Sequence, residues 1–254
     1  MFIRQERSVK EFMQFYPIVA WLVIINFALW LMIDFLQLKT GGLIYLWGVG
    51  NNLFIHEGEY WRLITPIFLH GGLMHAVFNS FSLVLFGPAL EQMLGKVKFI
   101  ITYLTAGIIG NLATYALGPA IYAHLGASGA VFGLFGVYMY MVIFRKDLID
   151  DANAQIVMII TIIALVMTFL RPNINIYAHI FGLVGGLVLA PIVLRRAQPF
   201  SMWRNQRRAT HNDGSIQFDP NRWRKRRIPQ QLKKNLIWII LGVLVLFGLL
   251  GRIF

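Results

Sequence analysis

Cysteine is absent from the 254 residues, and charge is scarce, with Asp, Glu, Lys and Arg making up 13% of the chain. The first absence excludes a disulfide framework, a zinc–thiolate centre and a cysteine nucleophile. The second leaves about half the charged share of an ordinary soluble domain, which is roughly 25%. Acidic residues are fewer still, 11 against 23 Lys and Arg, for a formal net charge of +12. Internal repeats and low-complexity tracts are also missing. Without inverted repeats or discontinuous helices, a transporter reading has nothing to rest on. What fills the chain instead is apolar: 57% hydrophobic residues and 14% aromatics, with a mean hydropathy of +0.64. Such a chain is an integral membrane protein.

The apolar runs predict seven spans, at 18–35, 71–90, 99–117, 127–144, 152–170, 174–194 and 236–254. Each run is long enough to cross a hydrocarbon core of about 30 Å at about 1.5 Å per helical residue. The segment 1–17, with Arg4, Arg7 and Lys10, is too polar for a removable signal peptide. The connection 36–70 has no uninterrupted run long enough to cross, yet it carries Tyr45, Trp47, Phe54, Tyr60, Trp61 and Phe68. Aromatics at this density suit a segment lying in the membrane interface.

Basic residues set the orientation. With the N-terminus cytoplasmic, nineteen of the 23 Lys and Arg fall on inner segments and four (Lys39, Arg62, Arg171, Arg252) on outer ones. The expected topology in the cell membrane is therefore N-terminus in and C-terminus out. Twelve of the nineteen lie in the block 195–235, whose run Arg222-Trp223-Arg224-Lys225-Arg226-Arg227 would suggest nucleic acid in a soluble protein. Between two spans it reads instead as a topology signal that touches anionic headgroups, so no nucleic acid partner is expected.

Polar side chains inside spans are costly and mark function or buried pairing. Ser128 sits just inside the outer end of the fourth span, His179 near the outer end of the sixth, and His75 and Asn79 share one face of the second. Three spans thus deliver Ser, His, His and Asn to one layer. Gly126, Gly129, Gly133 and Gly136 form a small-residue stripe on the fourth span, and Gly182, Gly185 and Gly186 do so on the sixth. Such stripes let helix backbones approach closely in lipid, which would bring Ser128 within reach of His179. A serine hydroxyl needs a base to become a nucleophile. His179 is that base and the later acid, while His75, Asn79 and the Ser128 backbone N–H are candidate oxyanion donors. Asp34 is the one intramembrane carboxylate at a comparable level, and a two-residue Ser–His engine is favoured over a triad through it. Ser80 and Ser82 read as hydroxyls satisfied on their own helix.

These residues resemble the rhomboid family of intramembrane serine proteases. Gly126-Ala127-Ser128-Gly129 is similar to its nucleophile motif. Ala178-His179-Ile180-Phe181-Gly182, with Gly185-Gly186, is similar to the segment bearing the base. His75-Ala76-Val77-Phe78-Asn79 is similar to its His-x-x-x-Asn element, and Tyr60-Trp61-Arg62 to the Trp-Arg of its long first loop. The resemblance implies a Ser128–His179 dyad with oxyanion help from His75 and Asn79, and no metal or organic cofactor. It also implies that Trp61, Arg62, Glu91, Gly126, Gly129, Gly182 and Gly186 give structural support. Where some members stack a tyrosine on the base, this chain has Phe132.

The expected protein is an all-α polytopic membrane protein. It has a cytoplasmic segment 1–17, a six-helix rhomboid-like core 18–194 with an interfacial first loop 36–70, a basic cytoplasmic loop 195–235 and an additional C-terminal transmembrane helix 236–254. Its expected activity is hydrolysis of a peptide bond in or near the transmembrane segment of another membrane protein. The alternative is a non-catalytic membrane protein that binds transmembrane helices.

Overall fold

A computed structural model describes residues 6, 8–172, 174–201 and 203. The expected seventh span 236–254 and most of the basic block 195–235 lie outside the described residues. Within them the chain is helical, apart from one two-residue antiparallel pairing of β1 (Gly50–Asn51) with β2 (Ala123–His124). Five helical stretches are long and apolar enough to cross a membrane: Pro17–Phe35, Leu73–Leu94, Lys96–Leu117, Asp151–Leu170 and Ile176–Val193. This is a multi-pass, all-α membrane fold.

The short α1 (Val9–Phe15) begins where the Ser8 hydroxyl accepts the Glu11 N–H. It leads into α2 (Pro17–Trp30), whose proline occupies the first turn, where no N–H partner is needed. The next two N–H groups, of Ile18 and Val19, donate to the buried Glu91 carboxylate at 3.0 and 2.9 Å. A π turn, Leu31–Phe35, continues α2. The second expected span becomes α5 (Leu73–Leu94), which runs four residues beyond the expected end at Leu90 and passes through Pro88. Capping α2 satisfies the buried Glu91 carboxylate, so the helix persists to Gly95, which turns the chain at φ 80°.

The remaining core helices are α6 (Lys96–Leu117), α7 (Ser128–Phe144), α8 (Asp151–Leu170) and α9 (Ile176–Val193). At 17 residues, α7 is about 26 Å long, shorter than the hydrocarbon core. It can be short because its walls are protein: every residue from 129 to 138 is buried. The closest packing of α7 is on α9, and α6 packs against both. Glycine makes this possible. A methyl group on Gly182 would overlap the backbone of Gly129, and one on Gly186 the backbone of Gly133. Gly136 meets Leu183 and Gly186 in the same way, while Gly110 of α6 lies against the Ala178 carbonyl. The two small-residue stripes therefore face each other with backbone on backbone.

The first loop is not irregular. It contains α3 (Lys39–Gly48), α4 (Asn52–His56) and two 3₁₀ turns, Tyr60–Leu63 and Thr65–Phe68. A helix end leaves carbonyls without partners, and here downstream side chains meet four in a row. Arg62 donates to the carbonyls of Leu46 (2.9 Å) and Val49 (2.7 Å), Trp61 Nε1 to Trp47 (3.0 Å) and the Thr65 hydroxyl to Gly48 (2.7 Å). The Arg62 guanidinium is buried, ion-paired to Glu59 and placed 4.8 Å from the Phe54 ring centre. Asn111 of α6 donates to Leu63 and Asn52 to Thr114 and Pro119, which fastens the loop to the bundle. Large apolar side chains on the loop, among them Leu43, Tyr45, Leu46, Trp47, Tyr60 and Trp61, stay exposed. One expectation fails here: the buried Ser80 Oγ makes no hydrogen bond with the described residues, so back-bonding to the helix does not account for it.

Candidate active site

Ser128 is the first residue of α7. The chain reaches it through Gly126, whose φ of 126° disfavours any side chain and whose missing Cβ would stand 2.6 Å from His75 Nε2. Glycine here lets the His75 ring approach the nucleophile loop. The same point lies 3.8 Å from Ser128 Oγ, so the His75 and Ser128 side chains converge on it. Two contacts brace the turn: the Gly126 N–H donates to the Pro66 carbonyl at 2.9 Å, and the Ala127 N–H points to His70 Nε2 at 3.5 Å. Burial, with His75 beside it, holds the His70 imidazole down at about 4, so the ring is a neutral acceptor at physiological pH.

His179 projects from the first turn of α9. That turn is set by Asn175, whose side chain accepts the Ala178 N–H at 3.1 Å and pairs with Thr114 of α6. His179 Nε2 lies 2.7 Å from Ser128 Oγ. The imidazole is 8% exposed, and Phe132 stacks on it with ring centres 4.3 Å apart and planes 21° apart. The missing tyrosine hydroxyl therefore does not remove the stack. Its other nitrogen, Nδ1, lies 2.8 Å from the hydroxyl of Thr168 on α8. Nothing in the sequence distinguished Thr168 from the other threonines of the apolar helices.

The remaining expected residues divide by position. Asn79 is nearly buried one turn below His75 and donates one amide hydrogen to the His75 carbonyl at 3.0 Å. The N–H groups of Ser128, Gly129 and Ala130 precede the first bond of the α7 ladder, from Val131 to Ala127, and so are donors that a helix start leaves open among the described residues. Gly129 and Gly182 lie at the α7–α9 crossing beside the Ser–His contact, and Gly186 one turn further along. Trp61 and Arg62 belong to the first loop, and Glu91 caps α2 at the far end of α5. Asp34 is exposed, with Oδ2 3.4 Å from the Gly72 N–H, and makes no contact with His179. A part-buried Ser–His pair beside a helix start can support acyl transfer.

Comparison with known proteins identifies the family. The Rhomboid domain model matches residues 57–196, which contain Ser128, His179, His75 and Asn79. The rhomboid-family protein YdcA of Bacillus subtilis strain 168 is 45% identical over 201 residues, covering 78% of this chain and 98% of YdcA. Rhomboid protease GluP of the same bacterium is 37% identical over 168 residues, 64% of this chain but 33% of GluP. RHOMBOID-like protein 1 of Arabidopsis thaliana is 32% identical over 148 residues, 58% of this chain and 38% of that protein. The two longer relatives are thus matched over 33% and 38% of their length, whereas YdcA is matched nearly end to end. Family membership supports proteolysis within the membrane as the activity class. On the domain match and the extent of the YdcA alignment, the chain belongs to the rhomboid family.

Proposed function

We propose that this protein is an intramembrane serine endopeptidase that uses Ser128 as nucleophile and His179 as general base. The observation that carries the reading is the 2.7 Å contact between Ser128 Oγ and His179 Nε2, held by helices whose backbones touch. In the proposed reaction His179 Nε2 takes the hydroxyl proton as Ser128 Oγ attacks the scissile carbonyl, and returns it to the leaving amine. The oxyanion forms beside the α7 helix start, with His75, Asn79 and the Ser128 N–H as donors. One such donor is typically worth about 10² to 10³ in rate. A second acyl transfer, to water, releases the acid product.

The substrate is a transmembrane segment of another membrane protein. Its helix must unwind locally, because a helical backbone engages its carbonyls in hydrogen bonds. The exposed aromatics of 36–70 support an interfacial position for that loop, anchored by Arg62, and the charge of the block 195–235 supports a cytoplasmic position against anionic headgroups. The N-terminus is then cytoplasmic and the C-terminus outside, in the cell membrane, with 236–254 as a seventh span.

Purified protein in liposomes with a labelled model transmembrane substrate tests the reading. Wild type should cleave, while Ser128→Ala and His179→Ala should each lose at least about a thousandfold in kcat. Cleavage by Ser128→Ala at the wild-type rate would leave a helix-binding protein as the better account.

A further inference from the structure

We infer that Thr168 is a positioning residue for this reaction, a third member that sets the tautomer of His179 from a helix bearing neither dyad residue. The inference rests on the proposed protease reading and adds to it the origin of the base's orientation. Thr168 is 1% exposed and is one of three buried residues on α8, with Val157 and Thr161, so it lies on the narrow stripe by which that helix leans on the bundle. Its hydroxyl lies 2.8 Å from the Ala164 carbonyl and 2.8 Å from His179 Nδ1.

Counting hydrogens assigns the roles. A carbonyl only accepts, so the single hydroxyl proton goes to Ala164, and the hydroxyl oxygen is left as an acceptor. Nδ1 must then carry the imidazole hydrogen and donate it to Thr168. In the neutral ring Nε2 is consequently a bare lone pair, facing Ser128 Oγ at 2.7 Å. That is the form a general base requires. The opposite tautomer would set a bare Nδ1 against a hydroxyl proton already committed to Ala164, and would present Nε2–H to the nucleophile. An aspartate does this work in the triads of soluble proteases. Here a back-bonded threonine does it without burying a charge, which suits a site inside a membrane, where an unpaired carboxylate is costly. The Phe132 stack fixes the plane of the ring and leaves its hydrogen placement to Thr168.

Two variants separate this role from simple packing. Thr168→Val keeps the shape and removes the hydroxyl, whereas Thr168→Ser keeps the hydroxyl and removes the methyl. With the transmembrane substrate in liposomes, Thr168→Val should lower kcat roughly ten- to a hundredfold, as loss of an orienting partner typically does, with KM unchanged. Thr168→Ser should restore most of that loss. An activity-free arm uses Ser128→Ala protein labelled with ¹⁵N-histidine, with His179 assigned by its loss in His179→Asn. Its ring should show one tautomer protonated at Nδ1, and adding Thr168→Val should shift it toward Nε2–H. Cleavage by Thr168→Val at the wild-type rate, a Thr168→Ser variant no better than Thr168→Val, or a ring spectrum indifferent to Thr168 would each overturn the inference while leaving the protease reading intact. Failure of the wild-type protein itself to cleave would remove both.

Discussion

The α7–α9 seam and the first loop hold the site together by opposite means. At the seam, glycines let two backbones meet with no side chain between them, so the Ser128–His179 distance is set by main-chain contact. In the loop, short helices and turns are held by side chains, with Trp61, Arg62 and Thr65 reaching back to four successive carbonyls. The first arrangement has almost no freedom to adjust. The second can lose one member and keep the others. Chemistry that depends on tenths of an ångström belongs to the seam, and the loop beside it serves to brace the Gly126 turn through Pro66 and His70.

This contrast predicts a graded response to substitution. Gly182→Ala and Gly186→Ala place a methyl group into the facing backbone of Gly129 and Gly133. Each should cost about 3 kcal/mol of stability and reduce cleavage at least about a hundredfold, read by thermal unfolding in detergent and by the liposome assay. Gly185→Ala is the control, because the three atoms nearest its Cβ, at 3.0 to 3.3 Å, all belong to the Ile109 side chain, and a side chain can yield. Equal damage from Gly185→Ala and Gly182→Ala would break the distinction.

The loop should fail more gently. Arg62→Met removes the donors to Leu46 and Val49 and the partner of Glu59. It should lower stability by about 2 kcal/mol and reduce cleavage less than either seam substitution. The smallest effect is expected at the far end of the molecule. Glu91→Gln keeps one acceptor oxygen for the α2 helix start and loses the other along with the charge. It should cost about 1 kcal/mol with kcat unchanged. A large kcat effect there would mean that the two ends of α5 are coupled in a way this packing does not explain.

Much of this could be read from the sequence, for reasons that differ by residue. Hydropathy located the five long apolar helices of the described residues because bilayer thickness imposes a length. The seam was legible because small residues at spacings of three and four mark one helix face. Ser128, His179, His75 and Asn79 were legible because polar groups at one depth are rare among apolar residues. Thr168 was not, because a threonine that bonds the carbonyl four residues back is the ordinary way to place a hydroxyl in an apolar helix. Its role depends on which way α8 faces, and the even apolarity of that helix conceals this. The caps on α3 were hidden because they join carbonyls to side chains more than a dozen residues further on, with no local pattern. The end of α5 was set too early because the partner that satisfies Glu91 lies on α2.

The most direct test of the central claim is covalent. A fluorophosphonate probe reacts with a serine only when a base has activated it. Peptide mapping of labelled wild-type protein should place the adduct on Ser128, and His179→Ala should lower the labelling rate at least about a hundredfold. An adduct on Ser128 that forms as fast in His179→Ala as in wild type would contradict the account.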